Sequence, residues 1–121
     1  MLLEFDKETP IYVQLKEGIE DAILKGVYGE DEQIPSTTEI SATYHINPAT
    51  ALKGINMLVD AGIIYKKRGL GMFVNNGAKE LILKSRRQAF FEKYILAITE
   101  EAKKLGVSAE DLISMIKGAM V

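Results

Sequence analysis

The sequence predicts an α+β fold that is mainly α-helical, and three observations lead to this class. Three segments carry apolar residues at helical spacing, each opened by a capping residue or a proline and separated by short turns. Two short β-prone runs follow, at residues 63–65 and 72–74, on either side of a basic tip with two glycines. A longer helical pattern occupies the rest of the chain. This order divides the chain into residues 1–76 and 77–121.

The first predicted helix spans about residues 10–25, after a short extended lead-in over residues 1–8. Thr9 is an N-capping residue type, and Pro10 suits the first helical position, where its missing N–H costs no hydrogen bond. Apolar residues then recur at intervals of three and four, which predicts one buried face. Gly26 is expected to end this helix.

Two further helices follow, joined by a tight turn. Ser36 and Glu39 have the spacing of a capping box, in which each side chain satisfies a backbone N–H at the helix start. This pattern predicts a helix over residues 37–44. Asn47 and Pro48 open a third helix by the same cap-and-proline logic, and its apolar spacing continues to about residue 60.

A hairpin and a two-helix tail complete the pattern. The tip between the two β-prone runs, residues 67–71, has the sequence KRGLG and predicts a basic turn. A long helical pattern covers residues 78–104, and Gly106 is expected to end it. Ser108 and Asp111 have the spacing of a second capping box, so a last short helix is expected after them.

Composition places the chain among globular proteins and excludes several classes of function. Its 121 residues, 47% hydrophobic and 26% charged, fit one compact domain with an appended tail. No apolar run approaches the roughly 18 residues of a membrane span, and the acidic N-terminus does not resemble a signal peptide, so we expect a cytoplasmic protein. With no cysteine, one histidine and no recognisable nucleophile–base pair, we expect no enzyme, no metal and no cofactor.

The net charge of −2 conceals a strong segregation of charge along the chain. Residues 1–44 carry 3 basic and 10 acidic side chains, whereas residues 45–74 carry 4 basic and 1 acidic. Residues 75–121 carry 8 basic and 6 acidic side chains. Because a phosphate backbone responds to local charge more than to the total, residues 45–74 are the candidate region for binding nucleic acid.

Three helices followed by a basic hairpin are the order of a winged helix-turn-helix, and this order suits DNA. The third helix fits the major groove, with its first residues nearest the base edges. The starts of the second and third helices offer N–H groups to phosphates, and the tip glycines permit close approach to the backbone or minor groove. The predicted DNA-binding residues are Ser36, Thr37, Thr38, Asn47, Pro48, Ala49, Thr50, Lys53, Lys67, Arg68, Gly69 and Gly71.

The sequence resembles the GntR family of bacterial regulators, and within it the small YtrA-type members. The motifs that carry the resemblance, in order, are residues 10–15 (PIYVQL), 34–36 (IPS), 46–50 (INPAT), 62–64 (GII) and 68–74 (RGLGMFV). The likeness covers nearly the whole chain, and the tail is too short for the large effector-binding domains of other branches. It implies control of a neighbouring transporter operon. We expect a repressor that blocks RNA polymerase by occupying its operator, with an activator as the alternative that the sequence leaves open.

The resemblance also implies roles for individual positions, with one departure. Ser36 would contact the DNA backbone, Thr50 a phosphate, and Lys53 would face DNA, while the two wing-tip glycines would let the hairpin reach the minor groove. The family usually has an arginine two residues after the serine, where this chain has Thr38. A hydroxyl cannot make the paired hydrogen bonds of a guanidinium, so we expect a weaker or altered operator preference.

The apolar stripe of the tail admits two interpretations. It is either core, with the tail folded back on its own winged helix, or a dimer interface, since a helix pair outside a small domain has more apolar surface than one protomer can cover. We favour the dimer because two-fold symmetry spaces two reading helices about one DNA turn apart on a palindromic operator. The predicted interface residues are Phe90, Phe91, Tyr94, Ile95, Ile98, Leu105, Leu112 and Ile116.

Three points stay open in the sequence. A protein-docking module is an alternative to a DNA-binding protein, because winged helices also bind proteins and the first 44 residues are acidic. A small-molecule effector is neither indicated nor excluded, and the junction between winged helix and tail would be the place for one. Leu52 lies, by helical phase, either near the DNA face or against the wing.

Overall fold

The computed structural model describes residues 3–121 and shows the mainly helical α+β fold that the sequence predicts. Met1 and Leu2, the start of the predicted lead-in, lie outside the described residues. The chain divides into two compact units, of which the first ends at Leu83 and the second spans Lys84–Val121. The elements are α1 (Ile11–Leu24), α2 (Thr37–Tyr44), α3 (Pro48–Asp60), β1 (Ile64–Lys67), β2 (Gly71–Val74), α4 (Ala78–Phe90), a π turn (Phe91–Ile95), α5 (Leu96–Leu105) and α6 (Ala109–Ala119).

The core of the first unit is built from α1, α3 and the residues that flank them. Leu15 and Ile19 of α1 and Ile55 and Leu58 of α3 are all 0% exposed. Burying a side chain of this size stabilises the fold by about 1.5–3 kcal/mol, so these contacts fix α3 against α1. The other buried members of the cluster are Ile23, Ile34, Ile40, Ile46, Ala51, Ile63, Ile64, Val74, Ala78 and Ile82.

The start of α1 differs from the prediction. Pro10, with φ −52° and ψ 138°, is the N-cap residue, so the helix begins at Ile11 and Thr9 does not cap it. Instead the Gln14 side chain folds back over the lead-in: its Nε2 donates to the Thr9 carbonyl oxygen at 2.6 Å, and its Oε1 accepts the Asp6 N–H at 2.9 Å. A side chain within the helix therefore organises the residues before it, which the local capping rule does not foresee.

The turn between α2 and α3 is tight, as predicted. His45 takes a left-handed conformation with φ 53°, and its N–H donates to the carbonyl oxygen of Ser41. The Ser41 hydroxyl donates to the carbonyl oxygen of Ile46 at 2.6 Å. Ile46 is 8% exposed and belongs to the core cluster, so its burial in the core holds the turn in position. These contacts set the position of the first turn of α3 relative to α2.

The wing is a two-stranded antiparallel sheet. Its register runs from the pair Ile64 and Val74 at the base to the pair Lys67 and Gly71 at the tip. Two backbone hydrogen bonds of 2.9 Å join residues 32–34 to β2. The second strand of the wing is therefore held by the segment that leads into α2, and the hairpin does not depend on its own pairing alone.

The second unit begins with the residues of α4 from Lys84 onward, which continue through the π turn into α5. The predicted apolar stripe advances in steps of three and four residues, which is the spacing of one face of an α-helix. The π turn is a local widening of the helix within this stripe. The sequence analysis did not predict this π turn.

The last helix is separated from α5 by a short connection. Gly106 ends α5 with φ 69°, and the Val107 N–H donates to the Ala102 carbonyl oxygen at 2.9 Å. The Ser108 Oγ then accepts the Asp111 N–H at 3.1 Å and caps α6. The end of α5 and the start of α6 therefore lie where the sequence predicts them.

Candidate nucleic-acid interface

The start of α2 is a hydroxyl-rich helix N-terminus. Ser36 Oγ accepts the Glu39 N–H at 3.0 Å and Glu39 Oε1 accepts the Ser36 N–H at 3.3 Å, which completes the predicted capping box. The Ser36 oxygen is the acceptor in this cap, so its proton can still be donated to a phosphate. Thr37 is half-buried and Thr38 is exposed. With the positive end of the helix dipole, this turn can bind a phosphate.

The start of α3 is exposed to solvent. Asn47 Oδ1 accepts the Ala49 N–H at 2.8 Å, so Asn47 caps the helix and Pro48 takes the first helical position, as predicted. Asn47, Pro48 and Ala49 are exposed, and Thr50 is half-buried. Because the Asn47 oxygen serves the cap, its NH₂ group is what this side chain offers to DNA.

Lys53 lies over an aromatic ring. Its Nζ is 4.0 Å from the centroid of the Tyr12 ring, at the range of a cation–π interaction. The ring positions the ammonium without neutralising it, whereas a carboxylate partner would cancel the attraction for a phosphate. Tyr12 belongs to α1, so the first helix helps to set a charge on the third.

The wing tip is a four-residue turn closed by a backbone hydrogen bond. The Leu70 N–H donates to the Lys67 carbonyl oxygen at 2.9 Å, and Gly69 has φ 78°, as the third residue of a type II turn does. Gly71 follows with φ 127°. Residues other than glycine rarely adopt these angles, so both glycines are required by the turn itself. Arg68 stands exposed within the turn.

Gln33 holds the wing tip from outside the hairpin. Its Nε2 donates to the Leu70 carbonyl oxygen at 2.7 Å. A Cβ atom at Gly71 would lie 2.5 Å from the same nitrogen, so the glycine also makes room for this contact. Lys67 Nζ lies 4.5 Å from the centroid of the Phe73 ring. The hydrogen bond from Gln33 and the ring of Phe73 therefore order the tip without placing a negative charge beside its cations.

Two tyrosines near these elements are kept in their neutral form. The Tyr65 hydroxyl donates to Asp31 Oδ1 at 2.8 Å, and this hydrogen bond is the main reason that the pKa of Tyr65 is raised above 10.0. Burial raises the pKa of Tyr28, with further contributions from Tyr44 and Glu39. Both shifts move the ionisation of the phenols further above neutral pH, where a tyrosine is already uncharged.

All twelve predicted DNA-binding residues lie in the first unit, and none of them is buried. Their contact with DNA stays a prediction. Leu70, which belongs to the predicted tip of residues 67–71, is 66% exposed between the two tip glycines. The contact of Gln33 with the tip was not predicted, because 37 residues separate it from Leu70 and there was no local signal. Leu52, left open above, is 46% exposed.

A cavity of about 270 Å³ lies within the first unit, where the end of α1 meets the start of α4. Apolar side chains line one part of it, and Lys79 and Glu80 belong to its rim. The cavity shows space and lining but no chemical selectivity, so whether an effector binds stays open, as in the sequence.

Two other kinds of site find no support in the part of the chain that the structure describes. Among residues 3–121, no three histidine or carboxylate side chains form a group that could hold a metal ion. Over the same residues, every helix is too short or too polar to span a bilayer.

The apolar stripe of the second unit is exposed in the single chain, and its aromatic rings contact one another. The centroids of Phe90 and Tyr94 are 5.4 Å apart. Ile95 and Leu112 are half-buried. The exposed fractions of the other predicted interface residues are Phe90 56%, Phe91 47%, Tyr94 49%, Ile98 39%, Leu105 69% and Ile116 39%.

A capped helix-turn-helix followed by a basic, glycine-tipped wing defines a winged-helix DNA-binding protein. The family model for "Bacterial regulatory proteins, gntR family" matches residues 11–74, from the start of α1 to the end of β2. The chain belongs to this family and is a DNA-binding transcription regulator, not an enzyme.

Two curated relatives come from Bacillus subtilis strain 168. The chain is 32% identical over 118 residues to the uncharacterized HTH-type transcriptional regulator YurK, covering 96% of this chain and 47% of YurK. It is 28% identical over 109 residues to the HTH-type transcriptional repressor YtrA, covering 90% of this chain and 83% of YtrA. The chain thus spans about half the length of YurK but most of YtrA, and it belongs with the YtrA-like members.

Two solved structures show the same fold. A transcriptional regulator of the GntR family from Bacteroides thetaiotaomicron superposes with a TM-score of 0.79 at 34% identity, covering 91% of this chain and 96% of that one. The DNA-binding domain of AraR in complex with operator ORX1 superposes with a TM-score of 0.56 at 30% identity, covering 61% of this chain and 95% of that domain. The predicted winged helix-turn-helix is confirmed.

Proposed function

We propose that this protein is a homodimeric repressor that binds a palindromic operator and blocks transcription by occupying it. In each protomer, residues 48–53 of α3 meet base edges in the major groove, residues 36–38 hold phosphates, and residues 67–71 of the wing reach the adjacent groove. The observation that carries the proposal is the wing tip, where two exposed cations stand on a turn that glycine and Gln33 hold in place.

Three further observations support the proposal. The AraR domain binds operator DNA and shares 30% identity with this winged helix, which favours DNA over a protein as the partner. The exposed aromatic stripe of the second unit suits a two-fold interface, because apolar patches of this kind mark association surfaces. The relative YtrA is named as a repressor.

The proposal also covers the cellular compartment of the protein and the operon that it regulates. A repressor acts where the chromosome is, so we place it in the cytoplasm. Resemblance to the YtrA-type members favours a transporter operon next to its own gene as the target. Both statements follow from the class of regulator and not from any residue of the site.

The test is a gel shift with promoter DNA from the neighbourhood of its own gene, at two salt concentrations. We expect binding to weaken steeply with salt, since each phosphate contact contributes about 0.9 to the logarithmic salt slope. The double variant Lys53→Ala, Arg68→Ala should bind more weakly and with a shallower slope. A matched control, Lys103→Ala with Lys104→Ala, removes the same charge from α5 and should bind like the wild type.

Two results would count against the proposal. If the wild type binds none of that DNA, or if the double variant binds as well as the control, the protein-docking alternative gains support. Tight, salt-sensitive binding that only the double variant loses would establish the interface and provide an operator for footprinting.

A further inference from the structure

The exposed face of the first half of α3 is apolar. Ala49 and Leu52 are three residues apart and therefore neighbours on one side of the helix. Leu52 is 46% exposed and Ala49 is exposed, whereas Ala51 and Ile55 of the same helix are 0% exposed in the core. Core packing thus fixes the rotation of α3, and that rotation turns Leu52 outward.

Two polar side chains of this segment make contacts within the protein, and a third is half-buried. The Asn47 oxygen caps the helix through the Ala49 N–H at 2.8 Å. The Lys53 ammonium lies 4.0 Å from the centroid of the Tyr12 ring. Thr50 is half-buried. The Asn47 NH₂ group and the Lys53 ammonium can still meet DNA, and the apolar surface lies between them along the helix.

The same face changes character toward the C-terminal end of α3. A shallow groove of about 410 Å³ follows the helix past Leu52 and Lys53 to Asp60, which is exposed. A carboxylate repels the phosphates on either side of the major groove. We therefore expect DNA contact in the first half of the helix, where Ala49 and Leu52 lie.

We infer that Leu52, together with Ala49, reads the C5 methyl group of thymine in the major groove. This inference rests on the proposed function, because it requires α3 to lie in that groove. Thymine presents a methyl group there that the other bases lack, and an apolar side chain can recognise it by contact alone. An apolar side chain cannot accept or donate a hydrogen bond, so this position selects a methyl-bearing base and not a purine.

The test removes single methyl groups from the DNA and leaves the protein intact. In an operator duplex defined by footprinting, each thymine is replaced in turn by deoxyuridine, which pairs identically and lacks only the methyl group. We expect one or two positions in each half-site at which the wild type binds about three- to fivefold more weakly, the effect of one buried methyl group. At the remaining thymines the affinity should not change.

A protein variant then assigns the effect to Leu52. Leu52→Ala should bind the thymine operator more weakly and should no longer distinguish uracil from thymine at those positions. The matched control is Leu81→Ala, since Leu81 lies on α4 and is 42% exposed. This control should keep the wild-type preference. Circular dichroism and sedimentation of both variants check that fold and oligomeric state are unchanged.

Each contrary outcome has a distinct meaning. If the wild type binds no operator, the proposed function fails and the inference fails with it. If the wild type binds but no uracil substitution matters, or if Leu52→Ala keeps the preference, the inference is overturned and the proposed function stands. If Leu52→Ala alters the oligomeric state instead, Leu52 is a protomer contact and the inference is likewise overturned.

Discussion

A few contacts made by single side chains hold the turn at the wing tip in position. One hydrogen bond, from Gln33 Nε2 to the Leu70 carbonyl oxygen at 2.7 Å, joins the tip to the segment before α2. Lys67 lies against an aromatic ring, so its chain is ordered without a carboxylate partner. Thr38 stands where the family usually has an arginine, and the expected weakening of operator preference stays a prediction. With Thr38 in place of that arginine, we expect recognition to depend more on the wing tip.

Removing the Gln33 side chain tests that dependence. Gln33→Ala should weaken operator binding about three- to tenfold, because one hydrogen bond contributes about 0.5–1.5 kcal/mol and its loss frees the tip. Fluorescence anisotropy with labelled operator measures the affinity, and urea unfolding should show a change below about 1 kcal/mol. Gln88→Ala is the matched control, since its Nε2 donates to Glu92 at 2.9 Å within the helical tail. Equal affinities for the two variants would contradict the prediction.

At the scale of elements, the packing of α1 against α3 links stability to the site. Gly54 lets the helices approach until its Cβ, if it had one, would lie 2.9 Å from the Tyr12 carbonyl oxygen. The same approach brings the Tyr12 ring to Lys53. The spacing of two buried helices therefore also determines the position of the Lys53 ammonium, which is predicted to face DNA.

A methyl group at this point should separate the helices. Gly54→Ala is expected to lower the free energy of unfolding by about 1–3 kcal/mol, since backbone atoms cannot move aside as a flexible side chain does. Urea denaturation followed by circular dichroism measures the change. Gly118→Ala in α6 provides the control. Nothing lies within 4 Å of a Cβ atom built at Gly118, and alanine is a better helix former than glycine. If both variants are equally stable, the close approach is not required.

The regular elements show what the sequence could predict. The start of α2 at Ser36 and the start of α3 at Asn47 follow from hydrogen bonds that span two or three residues, so their signals are local. The correct start of α1 was not predicted, because Gln14 reaches back five residues to Thr9. The π turn was not predicted either, since the apolar spacing is compatible with an uninterrupted α-helix.

At the scale of the whole molecule, charge and apolar surface are divided between different parts of the chain. The basic residues of the wing and α3 lie in the first unit, and the exposed aromatic stripe lies in the second. This division is the one expected of the proposed homodimeric repressor. Net charge alone, at −2, would have concealed it.

Charge introduced into the stripe tests the dimer. Phe90→Glu should shift the protein from dimer to monomer in sedimentation equilibrium and weaken binding to a palindromic operator at least tenfold, because burying a carboxylate in an apolar interface is unfavourable. Val27→Glu is the control, since Val27 is exposed to a similar degree, 51% against 56%, but lies outside the tail. A wild type that already sediments as a monomer, or a dimeric Phe90→Glu variant, would exclude this stripe as the interface.

The sequence by itself determined the class of fold, the starts of α2 and α3, and the basic glycine-bearing tip, because caps, turns and apolar periodicity depend on residues a few positions apart. Only the tertiary structure decided which side chains face solvent. It turned Leu52 outward, set Lys53 over Tyr12, and joined Gln33 to the tip across 37 residues. Such contacts depend on how buried helices fix one another's spacing and rotation, and no local pattern in the sequence encodes that packing.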